Sequence, residues 1–260
     1  MTKLPLRLSK VSRGAAYAAI GGAMLVGATL LVQDVPSAFQ LHSLTNGAAA
    51  KGHLAAARLA NFGAFTPSPD ARQVADWIAD SRDNSDLDFL VVDKKYATLY
   101  VFDRNAQLRG TSPVLLGSAI GDDSVPGIGE RPLAEVRPEE RTTPAGRFMA
   151  ERGRNARGED VVWVDYDVAV SMHRVISTNP KEQRLERLAS TSVADNRISW
   201  GCINVPVAFY ENAVRPTFAT HRALIYVLPD VKTVQQVFGA YDVVAKHRLR
   251  RAVADNVAAI

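Results

Sequence analysis

The chain has 260 residues, 47% hydrophobic and 22% charged, a balance that excludes a disordered or collagen-like polypeptide and fits one ordinary globular domain behind an N-terminal segment. Its net charge is +4, yet residues 1–38 hold four basic residues and one acid, a net of +3, so the remainder carries only about +1. A chain without a general basic field is not built to hold phosphate backbones, and no nucleic-acid partner is expected.

Lys3, Arg7, Lys10 and Arg13 precede an uncharged run from Gly14 to Val32, rich in Ala, Leu, Val and Gly, closed by Asp34 and Pro36. That layout is an export signal, and the positive-inside rule keeps the four cations in the cytoplasm. The apolar run is also long enough to span a bilayer, and Pro36-Ser37-Ala38 makes a poor cleavage site. Residues 1–38 are therefore a signal peptide or a membrane anchor through residues 14–32. The rest belongs in the periplasm or cell envelope.

Residues 39–87 read as a tether followed by an amphipathic helix over Ala71–Arg82, with Val74, Trp77 and Ile78 on one side. Asp88–Asp93 and Ala97–Phe102 are β-propensive runs separated by Lys94-Lys95, which predicts a hairpin. A turn at Asp103–Gln107 leads to an expected third strand at Val114–Gly117. Later strands are expected at Gly146–Glu151, Val161–Val164, Val168–His173 and Ala223–Leu228. Helices are expected at Lys181–Leu188, Val205–Ala213 and Val231–Tyr241. The sum is a mainly β domain with a few helices over 88–230, followed by a C-terminal helical tail over 231–260. Lys246, Arg248, Arg250 and Arg251 in that tail read as a solvated helix face.

Gly121 to Thr142 lacks periodicity. Its glycines, Gly121, Gly127 and Gly129, lack the Lys-Ser/Thr of a phosphate-binding loop. A segment this long inside a compact domain is usually functional, and a flap beside the active site is the expected role.

The chain has one cysteine, so a disulfide within it is impossible. Cys202 lies in Ser199-Trp200-Gly201-Cys202-Ile203-Asn204, where small and polar residues crowd a thiol behind an export segment. That setting marks a nucleophile. A thiol attacks as thiolate, and a nearby imidazole both takes its proton and stabilises the anion. His173, on an expected strand, is the best partner: His42 and His53 fall in the tether, His221 precedes a strand, and His247 sits in the basic tail. The backbone N–H groups of Gly201 and Cys202 are candidates to hold a tetrahedral oxyanion. No His-x-x-x-His or Cys-x-x-Cys pair points to a metal, and no cofactor is implied.

Taken in order, Val92-Asp93, Leu99-Tyr100-Val101-Phe102, Thr143-Pro144-Ala145-Gly146-Arg147-Phe148, His173 and Ser199 through Asn204 resemble the L,D-transpeptidase catalytic domain of bacterial cell-wall enzymes, over roughly Asp88 to Pro229. The resemblance implies a mixed β-sandwich core and thioester chemistry on peptidoglycan stem peptides. It assigns Cys202 as nucleophile and His173 as base, with the Arg174 carbonyl orienting the imidazole. Ser199 positions the motif and Asn204 braces its loop. Carbapenem-type inhibitors are expected to react with such a thiol. The expected reaction is cross-linking of tetrapeptide stems with release of D-alanine; hydrolysis of the same stems, or wall binding without catalysis, stays open. Three departures stand out. Trp200 occupies a position where the family signature usually has histidine. Arg174 follows His173 where glycine is common. The His173–Cys202 separation, 202 − 173 = 29, is long. Trp200 has no base to offer, and its apolar face is expected to wall the thiol from water or hold an aliphatic part of the stem.

Overall fold

The computed structural model describes residues 56–259. The expected signal or anchor, and His42 and His53 of the tether, lie outside the described residues. Among the described residues, no helix is long and apolar enough to cross a membrane.

The described part is mainly β with a few helices. The strands are β1 (Phe89–Asp93), β2 (Thr98–Phe102), β3 (Leu108–Pro113), β4 (Leu116–Gly117), β5 (Gly146–Arg154), β6 (Asp160–Asp165), β7 (Val170–Arg174), β8 (Arg197–Ser199), β9 (Ile203–Val205) and β10 (Ala223–Val227). Eight of them form one mixed sheet in the order β3-β2-β1-β10-β5-β6-β7-β9, and β4 pairs separately with β8. The long strand β5 serves two neighbours. Gly146–Ala150 pair with β10, and Glu151–Arg154 pair with β6, so β5 passes the sheet from one half to the other.

Parity along the strands builds two cores. In β1, Leu90 and Val92 join Val101, Val162, Met172, Ile203 and Val205 in a cluster shared by both halves of the sheet. Phe89 and Val91 point the other way and pack with Tyr226 against Val74, Trp77 and Ile78 of the helix α1 (Pro69–Ser81). Because β1 runs parallel to β10 and both are covered on each face, both read as unbroken apolar runs. The helix α1 starts where Ser68 Oγ accepts the Ala71 N–H at 3.1 Å with Pro69 next, and it stops at Arg82 in the left-handed region, φ 58°.

The hairpin of β1 and β2 forms as its sequence indicates, but the next strand is displaced. It runs over Leu108–Pro113 rather than Val114–Gly117. That segment is a half-exposed edge strand and so reads as polar, whereas Val114, Leu115 and Leu116 are fully buried yet contribute only the two-residue β4. The expected helix at Lys181–Leu188 is split at Gln183 (φ 47°) into a 3-10 turn, Pro180–Glu182, and a helix, Arg184–Ala189. Val205 belongs to β9 rather than to a helix, and the following helical segment covers residues 207–217 with a π-helical middle. Of Val231–Tyr241, only Val234–Phe238 is helical, ending at Gly239 (φ 69°). Arg248, Arg250 and Arg251 are exposed on the helix Val243–Ala258, while Lys246 and His247 reach Asp80 of α1.

Lys94, at the β1–β2 turn, has a fully buried side chain. Its ammonium donates to Gly121 O (2.5 Å), Asp122 Oδ1 (3.0 Å) and Thr143 O (2.9 Å) and lies 3.3 Å from Asp230. One buried cation thus ties together both ends of the 121–142 segment. Burial alone would raise the Asp122 carboxyl, but the backbone N–H groups of Lys232, Asp230 and Val231, together with Lys94, hold it down at about 2. Its stabilisation is therefore complete above the ordinary carboxylate range and is lost as pH falls towards 2. Lys94→Met leaves the buried Asp122 without its cation and Asp230 with Arg197 alone, and should cost about 3–5 kcal/mol. For a domain of this size that is a fall in Tm of roughly 6–20 °C. Calorimetry of the two proteins checks this, and a loss under about 1 kcal/mol would contradict the role given to the network.

Candidate active site

The site is built on two short parallel strands. In the β7–β9 ladder Met172 lies beside Ile203, His173 beside Asn204 and Arg174 beside Val205. Met172 and Ile203 are completely buried in the core between the half-sheets. Strand alternation therefore turns their neighbours Ser171, His173, Cys202 and Asn204 to the opposite face. Parallel pairing brings the imidazole and the thiol together across 29 residues of sequence.

The thiol is half-buried, with Ser171 Oγ at 3.6 Å and the Ala169 carbonyl at 3.8 Å. Burial pushes its pKa up, but hydrogen bonding and charge from His173, aided by Ser171, outweigh burial and leave it below its ordinary value. His173 shifts the opposite way. Burial would lower its pKa, yet the bond to Cys202, the thiolate charge and the Arg174 carbonyl raise it. Both shifts run in the direction that favours passing the thiol proton to the imidazole. His173 Nδ1 lies 2.7 Å from Arg174 O. A carbonyl only accepts, so Nδ1 carries the hydrogen and Nε2 is left for the sulfur. The Arg174 guanidinium faces away, onto Asp160 (3.1 Å), Glu211 (2.5 Å) and the Tyr210 ring (4.4 Å). Arg174 contributes its backbone here.

The loop before the thiol is clamped by short polar contacts. Ser199 Oγ donates to Cys202 O at 2.6 Å and accepts the Gly201 N–H at 3.1 Å. Asn204 Nδ2 reaches the same Cys202 carbonyl at 3.3 Å. Thr143 Oγ1 donates to Gly201 O at 2.8 Å and accepts the Gly117 N–H at 2.9 Å. Gly201 has φ 127°, and a Cβ there would lie 2.7 Å from Thr142 O, so no side chain fits. One expectation is revised. The Gly201 N–H is already engaged by Ser199 in the resting loop, so the Gly201–Cys202 donor pair is not freely available for an oxyanion.

Two cavities meet at the thiol. One, of about 400 Å³, is bordered by His173, Arg184, Trp200, Cys202 and Asn204. The second, about 200 Å³, lies under the 121–142 segment, against Gly129, Val136, Thr142, Trp200 and Cys202. That segment forms three short 3-10 turns, Ile128–Glu130, Leu133–Glu135 and Pro138–Glu140. Trp200 borders both cavities, keeps 37% of its surface exposed, and carries the Arg141 guanidinium 3.6 Å from its ring centroid.

The sequence reading missed three contributors. Arg184 donates to Asn204 Oδ1 at 2.5 Å while paired with Glu182, and its charge opposes protonation of His173. In the sequence Arg184 is one residue of the expected helix Lys181–Leu188. Ser171 was detectable in principle, two residues before His173 on the same strand face. Thr143 opens the Thr143–Phe148 run that carries the resemblance, but its bridge between the Gly117 N–H and Gly201 O has no mark in the sequence.

No family model and no curated protein matches the chain. Among solved structures it is similar to an L,D-transpeptidase from Mycobacterium smegmatis, with 16% identity over 54% of this chain and 58% of that one and a TM-score of 0.31. It is also similar to the catalytic domain of the E. faecium L,D-transpeptidase (14% identity, 54% and 96%, TM-score 0.30). A further likeness is to the helical cell shape determining protein Pgp2 from Campylobacter jejuni (10% identity, 65% and 70%, TM-score 0.38). The chain spans less than two thirds of the mycobacterial structure.

Proposed function

We propose that the chain is an exported cysteine L,D-transpeptidase that joins peptidoglycan stem peptides. The reading rests on one observation: Cys202 borders the same cavity as His173, an imidazole whose Nδ1 is fixed on the Arg174 carbonyl at 2.7 Å. His173 Nε2 takes the Cys202 proton, and the thiolate attacks the carbonyl between the third residue of a tetrapeptide stem and its terminal D-alanine. The Cys202 N–H supports the oxyanion, and the Gly201 N–H joins it if Ser199 lets go. D-Alanine leaves with the proton from His173, and a thioester remains on Cys202. A side-chain amine of a neighbouring stem then attacks the thioester and passes its proton to His173, giving the cross-link and the free thiol. Mass analysis after incubation with a disaccharide-tetrapeptide, or with a carbapenem as covalent probe, tests the first half. Separation of cross-linked dimer from free tripeptide tests the second. A protein never acylated by either compound would overturn the reading.

Trp200 supports transfer over hydrolysis. Its ring stands between the two cavities at the thiol and, stacked under Arg141, covers space that water would otherwise fill. Trp200→His should retain acylation but raise the share of hydrolysed product. Trp200→Ala, which removes the wall and frees Arg141, should also weaken donor binding. A product ratio unchanged in Trp200→His would reduce Trp200 to a packing residue.

A further inference from the structure

A third cavity, of about 390 Å³, lies beyond His173 at the end of the sheet. It shares Glu159, His173 and Ile176 with the cavity that holds Cys202, so the two lie side by side with the imidazole at their common border. Cys202 does not border it. Its other walls are rich in arginine: Arg152 and Arg154 from β5, Arg174 from β7 and Arg215 from the helical segment behind them.

Those arginines divide into two kinds. Arg174 is neutralised by Asp160 and Glu211, and Arg215 shares Glu211 at 2.9 Å. Arg152 and Arg154 stand two residues apart on one face of β5, both exposed. Arg154 reaches only the Gly158 carbonyl, at 2.6 Å, and among the described residues neither forms an ion pair with a carboxylate. Two guanidinium groups with unspent charge thus face a cavity that opens onto the catalytic base.

Resting on the transferase reading above, we propose that this groove is the subsite for the amine-bearing stem, with Arg152 and Arg154 holding its carboxylates. When the thioester forms, the acyl arm fills space beside Cys202. The attacking amine must still come within reach of His173, which takes its proton as the N–C bond forms and the C–S bond breaks. With the acyl arm in a cavity beside Cys202, the groove bordered by His173 but not by Cys202 offers the body of that second molecule a place from which its amine reaches the imidazole. Only a carboxylate, or another anion of similar geometry, makes full use of the guanidinium fork.

The test starts from pre-formed thioester on the wild type and on the double variant Arg152→Gln/Arg154→Gln. Resolution is measured against the concentration of a stem tripeptide with a free side-chain amine. Half-saturation should rise about 3- to 30-fold in the double variant, the range for two solvent-facing ion pairs. Arg152→Lys/Arg154→Lys should recover part of the loss. A tripeptide with amidated carboxylates should bind the wild type poorly and lose little more on the variant. Equal losses for the two tripeptides, or no loss for either, overturn the proposal. If the wild type forms no thioester, the transferase reading falls separately. Calorimetric titration of the same two tripeptides into Cys202→Ala protein still decides the groove: carboxylate-dependent binding that weakens by about 3- to 30-fold in the double variant supports it, and arginine-independent binding or none overturns it.

Discussion

Cys202→Ala should abolish the proposed D-alanine release and covalent labelling while leaving the fold intact. The expected loss in turnover is about 10⁶-fold, the scale for deleting a nucleophile that acts as a unit with its base. The thiol's contacts to Ser171 Oγ, at 3.6 Å, and Ala169 O, at 3.8 Å, are long, so the loop stays clamped by Ser199, Thr143 and Asn204 when the sulfur goes. Cys202→Ser keeps at most a trace, because a hydroxyl with its far higher pKa is a poor nucleophile in a site arranged for a thiolate. Intact mass after incubation with donor, together with a D-alanine assay, reads both. Release by the alanine variant near the wild-type rate would discard the cysteine mechanism.

His173→Gln should slow acylation by roughly 10²–10⁴-fold, the usual contribution of a positioned acid–base residue. The pH dependence adds a sign. In the wild type, burial opposes the thiolate and the imidazolium outweighs it, so the thiol ionises below its ordinary range. In the variant the burial remains and the opposing charge is gone, so the thiol pKa rises. The iodoacetamide rate, followed against pH, should shift to higher pH, and at neutral pH it should fall. An alkylation profile unchanged in His173→Gln would leave this histidine a structural residue. A fall in acylation without a shift in the profile would make His173 a proton carrier that does not set the thiolate population.

Where the chain's own pattern is local, it is legible. Five- and six-residue apolar runs such as Phe89–Asp93 and Ala223–Val227 declare strands, and the spacing of Val74, Trp77 and Ile78 declares α1. The crowding of small and polar residues around the single cysteine singles out Cys202. His173 is legible as the end of an expected strand over Val168–His173; the structure runs that strand over Val170–Arg174, with Met172 buried beside it. The two- and three-residue strands β4, β8 and β9 carry too few side chains to show a period, and the polar edge strand β3 hides behind the apolar Val114–Leu116 that follows it.

What tertiary structure alone decided is which distant groups meet. The β7–β9 ladder brings His173 to Cys202, and the turn at Gln183 delivers Arg184 to Asn204. Closure of the sheet buries Lys94 between Asp122 and Asp230 and so anchors the segment over the thiol. The corner in β5 carries Arg152 and Arg154 to the far side of His173. None of these contacts leaves a mark on residues adjacent in sequence. Side-chain pattern records which face of its own strand or helix a residue takes, whereas its partner across space depends on how those elements close around a shared core.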